Sequence, residues 1–439
     1  MDIEKIRSKV ADFLKKNEMD HEDIDIEKYI NIFIEEMRNG LAGQDSSLEM
    51  IPTYIEIGKE VPINEPVIAI DAGGANFRVA TVYFNDRKKP VIENLKKYQM
   101  PGTKGKINHQ KFFQVMAGYL KEVVKKSSNI GFCFSYAAEI LPNKDGKVIR
   151  LAKELEVEGI EGQMVGENLL TAIKTLGYTT NKHVVILNDT VTALLAGISS
   201  FPDRTFDSYV GFILGAGTNT CYIEQNKNII KNKDLDPARS QIINVESGGF
   251  GKGPLSVIDR QFDKSTENPG EGTFEKMISG AYFGPMGLKT IQVAAEDGLF
   301  SSQAAKELEK IEQISTEDIS DFMYYPNAER NPLSSAFNGG SGEDLITLYY
   351  LIDKLVERAA KLTAINLSSV VIKSGKGTNP CFPVCIVAEG TTFYRLKSLK
   401  TRVEFYMKTY LENQKNLYYE IVDIENATLI GAAIAGLTN

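Results

Sequence analysis

The sequence predicts a two-domain α/β protein whose halves share one design and face each other across a cleft. Three observations carry that expectation. The first is a pair of strand–glycine turn–strand units, Val67-Ile68-Ala69-Ile70-Asp71-Ala72-Gly73-Gly74-Ala75-Asn76-Phe77-Arg78-Val79 and Gly211-Phe212-Ile213-Leu214-Gly215-Ala216-Gly217-Thr218-Asn219-Thr220-Cys221-Tyr222. Turns of this kind strip away side chains so that backbone N–H groups reach an anion, and two of them suggest a polyphosphate held between duplicated halves. The second is the alternation of strand-like and helix-like segments, which argues for α/β layers in both halves. The third is length, because 439 residues exceed what one hydrophobic core ordinarily serves.

Residues 1–39 read as two amphipathic helices around a polar stretch at 17–25. The segment 48–57 leads into the first glycine turn, which joins strands at 67–71 and 77–84; a more polar strand follows near 91–100. A helix is expected at about 110–125, a strand at 130–135, a helix around 164–176 and a strand at 184–187. That strand ends at Asn188-Asp189-Thr190, where a helix begins. The second half opens in the same way, with strands at 208–214, 218–224 and 241–246. Long helical patterns occupy 274–298, 302–313 and 343–367, and 331–342 reads as a surface loop. A strand at 384–388, a helix near 399–411, a strand near 418–422 and a helix at 427–435 complete the chain.

Composition narrows the function. The net charge is −8, with no basic block and no tryptophan, which argues against a nucleic-acid face. No apolar run is long enough to span a bilayer, so no membrane association is expected. The charged N-terminus lacks the apolar core of a secretory leader. Cys133 and Cys221 sit in strand-like runs and read as small core residues, while Cys381 and Cys385 lack partners at zinc spacing. Reduced thiols and a cytoplasmic location fit this usage.

The chain has no Walker-type G-x-x-x-x-G-K-[ST] loop and no G-x-G-x-x-G at a strand–helix junction. Its three histidines, His21, His109 and His183, are not at metal-ligand spacing, so carboxylates must carry any proton transfer. Asp71, at the mouth of the first glycine turn, is placed to hold hydrated Mg²⁺ beside a triphosphate, or more plainly to satisfy turn N–H groups. Asp189 reads as a general base aimed at a substrate hydroxyl, with a helix N-cap as the simpler alternative. Glu246, at the glycine turn Ser247-Gly248-Gly249, and Glu275 could pair on vicinal hydroxyls; the alternatives are a solvated loop and a helix-start glutamate. Ser135 has no histidine partner nearby and reads as a hydrogen-bonding group rather than a nucleophile.

Taken in order from residue 48 to the C-terminus, these stretches resemble the eukaryotic-type hexokinases of the actin-like ATPase and sugar-kinase superfamily. Asp71–Arg78 resembles the first phosphate motif, Asp-Leu-Gly-Gly-Thr-Asn-Phe-Arg. Gly131–Tyr136 resembles the start of the sugar loop, and Ala152-Lys153 falls where the family has Thr-Lys. Asn188-Asp189-Thr190 matches the tripeptide with the catalytic aspartate. Gly215–Glu224 resembles the second phosphate motif, Asn244–Gly251 and Asn268–Lys276 resemble the two glutamate motifs, and Ala388-Glu389-Gly390-Thr391 resembles the adenosine motif. The resemblance implies two duplicated ribonuclease-H-like domains, each a mixed sheet flanked by helices: a small one at 65–189 plus 426–439, and a large one at 1–64 plus 190–425. It implies transfer of the γ-phosphoryl of ATP, with Mg²⁺, to the 6-hydroxyl of a hexose, glucose foremost, as entry to glycolysis, by a monomer or homodimer. Asp189 is then the base, with Lys153 near the reacting oxygen. Ser135, Lys153, Asn188, Asn219, Glu246 and Glu275 hold the sugar. Asp71 holds Mg²⁺ through water; Gly73, Gly74, Ala75, Asn76, Arg78, Gly215, Ala216, Gly217 and Thr218 cradle phosphates; Gly390 and Thr391 border the adenosine.

The chain departs from the family at Ala75 and Ala216, which replace threonines of the phosphate turns. It departs also at Ala137, Ala152 and Gly272 around the sugar, and at 426–430, where a Gly-Ser-Gly-Lys-Gly element is missing. The backbone amides of the phosphate turns survive the changes at Ala75 and Ala216, and one neutral hydrogen bond is worth only about 0.5–1.5 kcal/mol. Another hexose or amino sugar as substrate, or a non-catalytic sugar sensor, are the alternatives these changes raise.

Overall fold

The computed structural model describes residues 2–152, 155–178, 181–337 and 341–439. Two sheets of one design form the framework. The first contains Val67–Gly73, Asn76–Phe84, Pro90–Gln99, Asn129–Phe134 and His183–Leu187. The second contains Ser208–Leu214, Thr218–Gln225, Ser240–Asn244, Val384–Glu389 and Tyr419–Val422. Numbered along the chain, both run third–second–first–fourth–fifth across the sheet; Ile51–Glu56 adds an antiparallel edge strand to the second. In each, the first two strands form the antiparallel glycine hairpin and the last two lie parallel to the first. Val67–Ala72 is buried throughout, the continuous apolar run of a strand covered on both faces.

The closing helices are exchanged between the sheets. Asp189–Ser200 follows the last strand of the first sheet but packs on the second, and Ala427–Thr438 follows the second sheet but packs on the first. Glycine permits these approaches: a Cβ on Gly211 would lie 2.1 Å from the Thr190 carbonyl oxygen, and one on Gly131 would lie 1.7 Å from that of Ala432. The two helices also cross each other in the core between the sheets. The far face of the second sheet is covered by the 33-residue helix Gly342–Ser374, against which Ile3–Lys16 and Ile26–Ala42 pack. A buried ion pair, Lys373–Glu224, ties the end of that helix to the second hairpin.

Several expectations need correction. The pattern at 274–298 is two helices, Thr273–Ile278 and Gly280–Glu296, because Ser279 is extended (φ −85°, ψ 158°). The break lets Gly280 and Ala281 donate N–H groups to the carbonyls of Gly215 (2.8 Å) and Ala216 (3.0 Å). The helix expected at 110–125 stops at Tyr119. Helices Val257–Ser265 and Thr316–Tyr324 went unread, although both begin in a Ser-x-x-Asp capping box. The expected loop at 331–342 opens with a short helix, Pro332–Ser335, whose Leu333 is fully buried.

Candidate active site

The last strand of the first sheet runs out at Leu187, and Asn188 takes the N-cap position by accepting the Thr190 N–H (2.9 Å). The cap is thus Asn188, not Asp189 as the simpler reading had it; Asp189 is the first helical residue, its Oδ1 also accepting the Thr190 N–H (2.8 Å). This places Asp189 at the carboxyl ends of parallel strands, where open α/β sheets bind ligands. Burial raises its carboxyl to about pH 6, with the nearby charge of Asp71 acting in the same direction.

Asp189 lines a cleft of about 600 Å³ together with Gly73, Gly74, Ser135, Asn188, Asn219, Asn244, Glu246 and Glu275. Glu246 stands in left-handed backbone (φ 57°), a strained conformation for a side chain. Its Oε1 accepts from Asn219 (2.9 Å) and from Asn244. Behind them Asn366 of the long helix donates to Thr220 (2.9 Å), so the hairpin that carries Asn219 is held from the core. Glu275 reaches the second glycine turn, its Oε2 accepting the Thr218 N–H at 2.9 Å. The loop before it is clamped by buried Lys276, which donates to Asp263 (2.6 Å) and to the Asn268 carbonyl (2.7 Å). Burial raises the carboxyl of Glu275, and raises that of Glu246 to about 7 with help from the charge of Glu49.

Asp71 is buried two residues before the end of its strand. Its Oδ2 accepts from Arg78 Nε (2.8 Å) and Thr428 Oγ1 (3.1 Å), and Arg78 also donates to Asn426 (3.2 Å). Arg78, expected from its motif to face phosphate, thus also binds the carboxylate and the start of the terminal helix. Asp71 Oδ1 has no protein partner among the described residues. At the second turn Gly215 N–H and Thr218 N–H are engaged, whereas those of Ala216 and Gly217 have no partner among the described residues; at the first turn the same holds for Gly74 and Ala75. Gly390 (φ 115°) packs directly on the second turn, where a Cβ would lie 2.3 Å from the Leu214 oxygen.

A second cavity of about 560 Å³ adjoins the cleft, since Ala216 lines both; Thr391 stands on its wall. Of the residues singled out in sequence, Asp71, Ala75, Asn76, Arg78, Gly215 and Gly390 do not line either cavity, Ala75 and Asn76 being exposed at the first turn. Lys153 lies outside the described residues. Asn244, Arg150 and the helix Thr316–Tyr324 were missed. Asn244 stood inside a quoted motif, but nothing local marks an asparagine as the partner of a glutamate two positions on. Thr428 could have been found only from the fold, being far along the chain from Asp71.

Two family models, each described as Hexokinase, match residues 9–199 and 209–438. Hexokinase-1 of Pongo abelii is 29% identical over 370 residues, 79% of this chain but 39% of that protein. This chain thus spans about two fifths of such mammalian relatives. Hexokinase-1 of Schizosaccharomyces pombe is 27% identical over 422 residues, covering 92% of this chain and 85% of that one. The solved structure of a hexokinase from Schistosoma mansoni complexed with glucose superposes with a TM-score of 0.78 at 23% identity over the full length of both chains, which establishes a shared fold.

Proposed function

This chain belongs to the hexokinase family, and from that premise we propose that it transfers the γ-phosphoryl of ATP to the 6-hydroxyl of a hexose, glucose foremost. The observation that carries the proposal is Asp189, a carboxylate with a raised pKa in the same cleft as Asn219, Glu246, Glu275 and the two glycine turns. Ser135, Asn188, Asn219, Glu246 and Glu275 hold the sugar, with the newly recognised Asn244 beside them; the family motif assigns Lys153 to the same task. Asp189 takes the proton of the 6-hydroxyl as its oxygen bonds to the γ-phosphorus; the bond to the bridging oxygen breaks and ADP leaves. Such transition states are loose, so the proton departs late and a carboxylate of moderate basicity suffices.

The free N–H groups of Gly74, Ala75, Ala216 and Gly217 fit a polyphosphate, and the unengaged Oδ1 of Asp71 fits a water of a hydrated Mg²⁺. The ion, when bound, offsets charge on the phosphoryl oxygens. Thr391 and Gly390 border the nucleoside end. The lobes are the small domain, 65–189 with 426–439, and the large domain, 1–64 with 190–425. Sugar binding draws them together and excludes water, the competing acceptor. The protein works in the cytoplasm, as a monomer or homodimer.

The test is ADP release from Mg·ATP against a panel of hexoses beside a sugar-free blank. Turnover with glucose well above the blank is expected, and glucose binding without turnover with any nucleotide points instead to a sensor. Ala152 and Gly272 depart from the family at the sugar end, and Arg150 lines the cleft there, so the ranking of mannose, fructose and glucosamine decides between glucose and the second reading, a kinase for another sugar. The pH profile follows from Asp189. The base acts only when deprotonated, so kcat should fall as pH drops through about 6, and a kcat still level at pH 5 would remove Asp189 from that role.

A further inference from the structure

Several hydroxyls lining the second cavity are engaged by the backbone around it. Thr316 Oγ1 donates to the Gly280 carbonyl (2.8 Å) and accepts the Gly284 N–H (3.0 Å). Ser320 Oγ donates to the Arg395 carbonyl (2.9 Å) and accepts the Lys397 N–H (3.2 Å), and Thr392 Oγ1 donates to the Gly215 carbonyl (2.8 Å). These hydroxyls are committed to holding the backbone around the cavity. Among the described residues three lining side chains on one helix, Thr316–Tyr324, are not so committed: the carboxylates of Glu317 and Asp321 and the ring of Tyr324; the last two are three positions apart and therefore neighbours on its surface.

Tyr324 is 53% exposed, although the fold buries most of its aromatic rings. The ring is nonetheless held: the Lys397 ammonium sits 5.1 Å from its centroid and is itself fixed by the Met323 carbonyl (2.6 Å) and the Tyr349 hydroxyl (3.2 Å). A positioned, solvent-facing ring in a cavity that the second glycine turn also lines at Ala216 matches an amphiphile that is anionic at one end and planar at the other. We propose that Tyr324 is the stacking platform for the base of the donor nucleotide, and that Asp321 accepts hydrogen bonds from the hydroxyl or amino groups of the nucleoside. This rests on the kinase reading above and adds to it the residues that distinguish a nucleotide from a bare polyphosphate.

The experiment compares the full-length parent with Y324A, Y324F and D321N, titrating each with ADP and, separately, with tripolyphosphate by calorimetry, and measuring KM for ATP at saturating glucose. Base–aromatic stacking is lost in Y324A, so its Kd for ADP and KM for ATP should rise about tenfold, while tripolyphosphate affinity, glucose KM and kcat hold. Y324F keeps the ring and should match the parent; D321N should weaken ADP but not tripolyphosphate. Parental ADP affinity in Y324A overturns the proposal. So does an equal loss of ADP and tripolyphosphate affinity, because that reports general damage to the cavity. If the parent binds ADP and Y324A does not, but no sugar stimulates turnover, the nucleoside site stands and the kinase reading falls.

Discussion

Replacing Asp189 with asparagine should cut kcat by about 10²–10⁴-fold, the usual contribution of a positioned general base, and leave sugar affinity in place. Asparagine keeps the oxygen that accepts the Thr190 N–H, so the start of the helix survives and only the proton acceptor is lost. A second readout separates this from damage to the fold. The carboxyl of Asp189 titrates at about 6 in the folded protein, above the value of about 3.9 for an unfolded aspartate. Its contribution to stability is therefore present below about pH 4 and disappears as pH rises through about 6, where the buried charge opposes folding. The variant carries no such charge. It should melt at a higher temperature than the parent at pH 8, and the gap should close towards pH 4. Near-parental turnover in the variant would transfer the base role to another group; lower stability at pH 8 would mean that the carboxylate has partners beyond those seen.

Replacing Gly431 with alanine should unfold or severely weaken the protein. In an unpacked helix the same change stabilises by about 0.5–1 kcal/mol, because alanine has less chain entropy to lose. Here the added Cβ would meet the Thr192 carbonyl at 1.9 Å from oxygen, 2.5 Å from carbon and 2.6 Å from Cα. All three atoms are backbone, so no rotamer change relieves the clash and the two exchanged helices must separate. Overpacking of this kind costs about 1–3 kcal/mol and occasionally more; with three backbone contacts the upper end applies and outweighs the propensity gain. Because Asp189 is the first residue of the displaced helix, surviving protein should also lose kcat. Gly118, in the helix His109–Tyr119 with nothing within 4 Å of its Cβ position, is the control, and G118A should be neutral or slightly stabilising. Equal melting temperatures for G431A and G118A would mean that the helices do not cross this closely.

How much of the site was legible depends on how local each signal is. The two hairpins were readable because a buried strand, a glycine turn and a second strand are encoded within about a dozen neighbouring residues, and turn chemistry leaves little freedom. The Asn188-Asp189-Thr190 junction was readable for the same reason, although which residue caps the helix was not, since asparagine and aspartate cap almost equally well. The helix 280–296 was read as continuous with the one before it. Helical periodicity does not register one extended residue, and the cause of the break, hydrogen bonds to Gly215 and Ala216, lies far back in the chain. The same holds for Arg78. Within its motif it reads as a cation near phosphate, yet its partners include Thr428 and Asn426, brought to it by the terminal helix.

By itself the sequence determined the duplicated plan, the two anion-binding turns and the carboxylates that serve them, because each is a short-range pattern of residue types. Only the tertiary structure decided that each half lends its last helix to the other's sheet, that Asp71 is held by Arg78 and Thr428, and that Asp189 and Glu246 titrate near neutrality. These properties arise from desolvation and contact between segments hundreds of residues apart, and no local pattern carries the sum of surroundings that sets them.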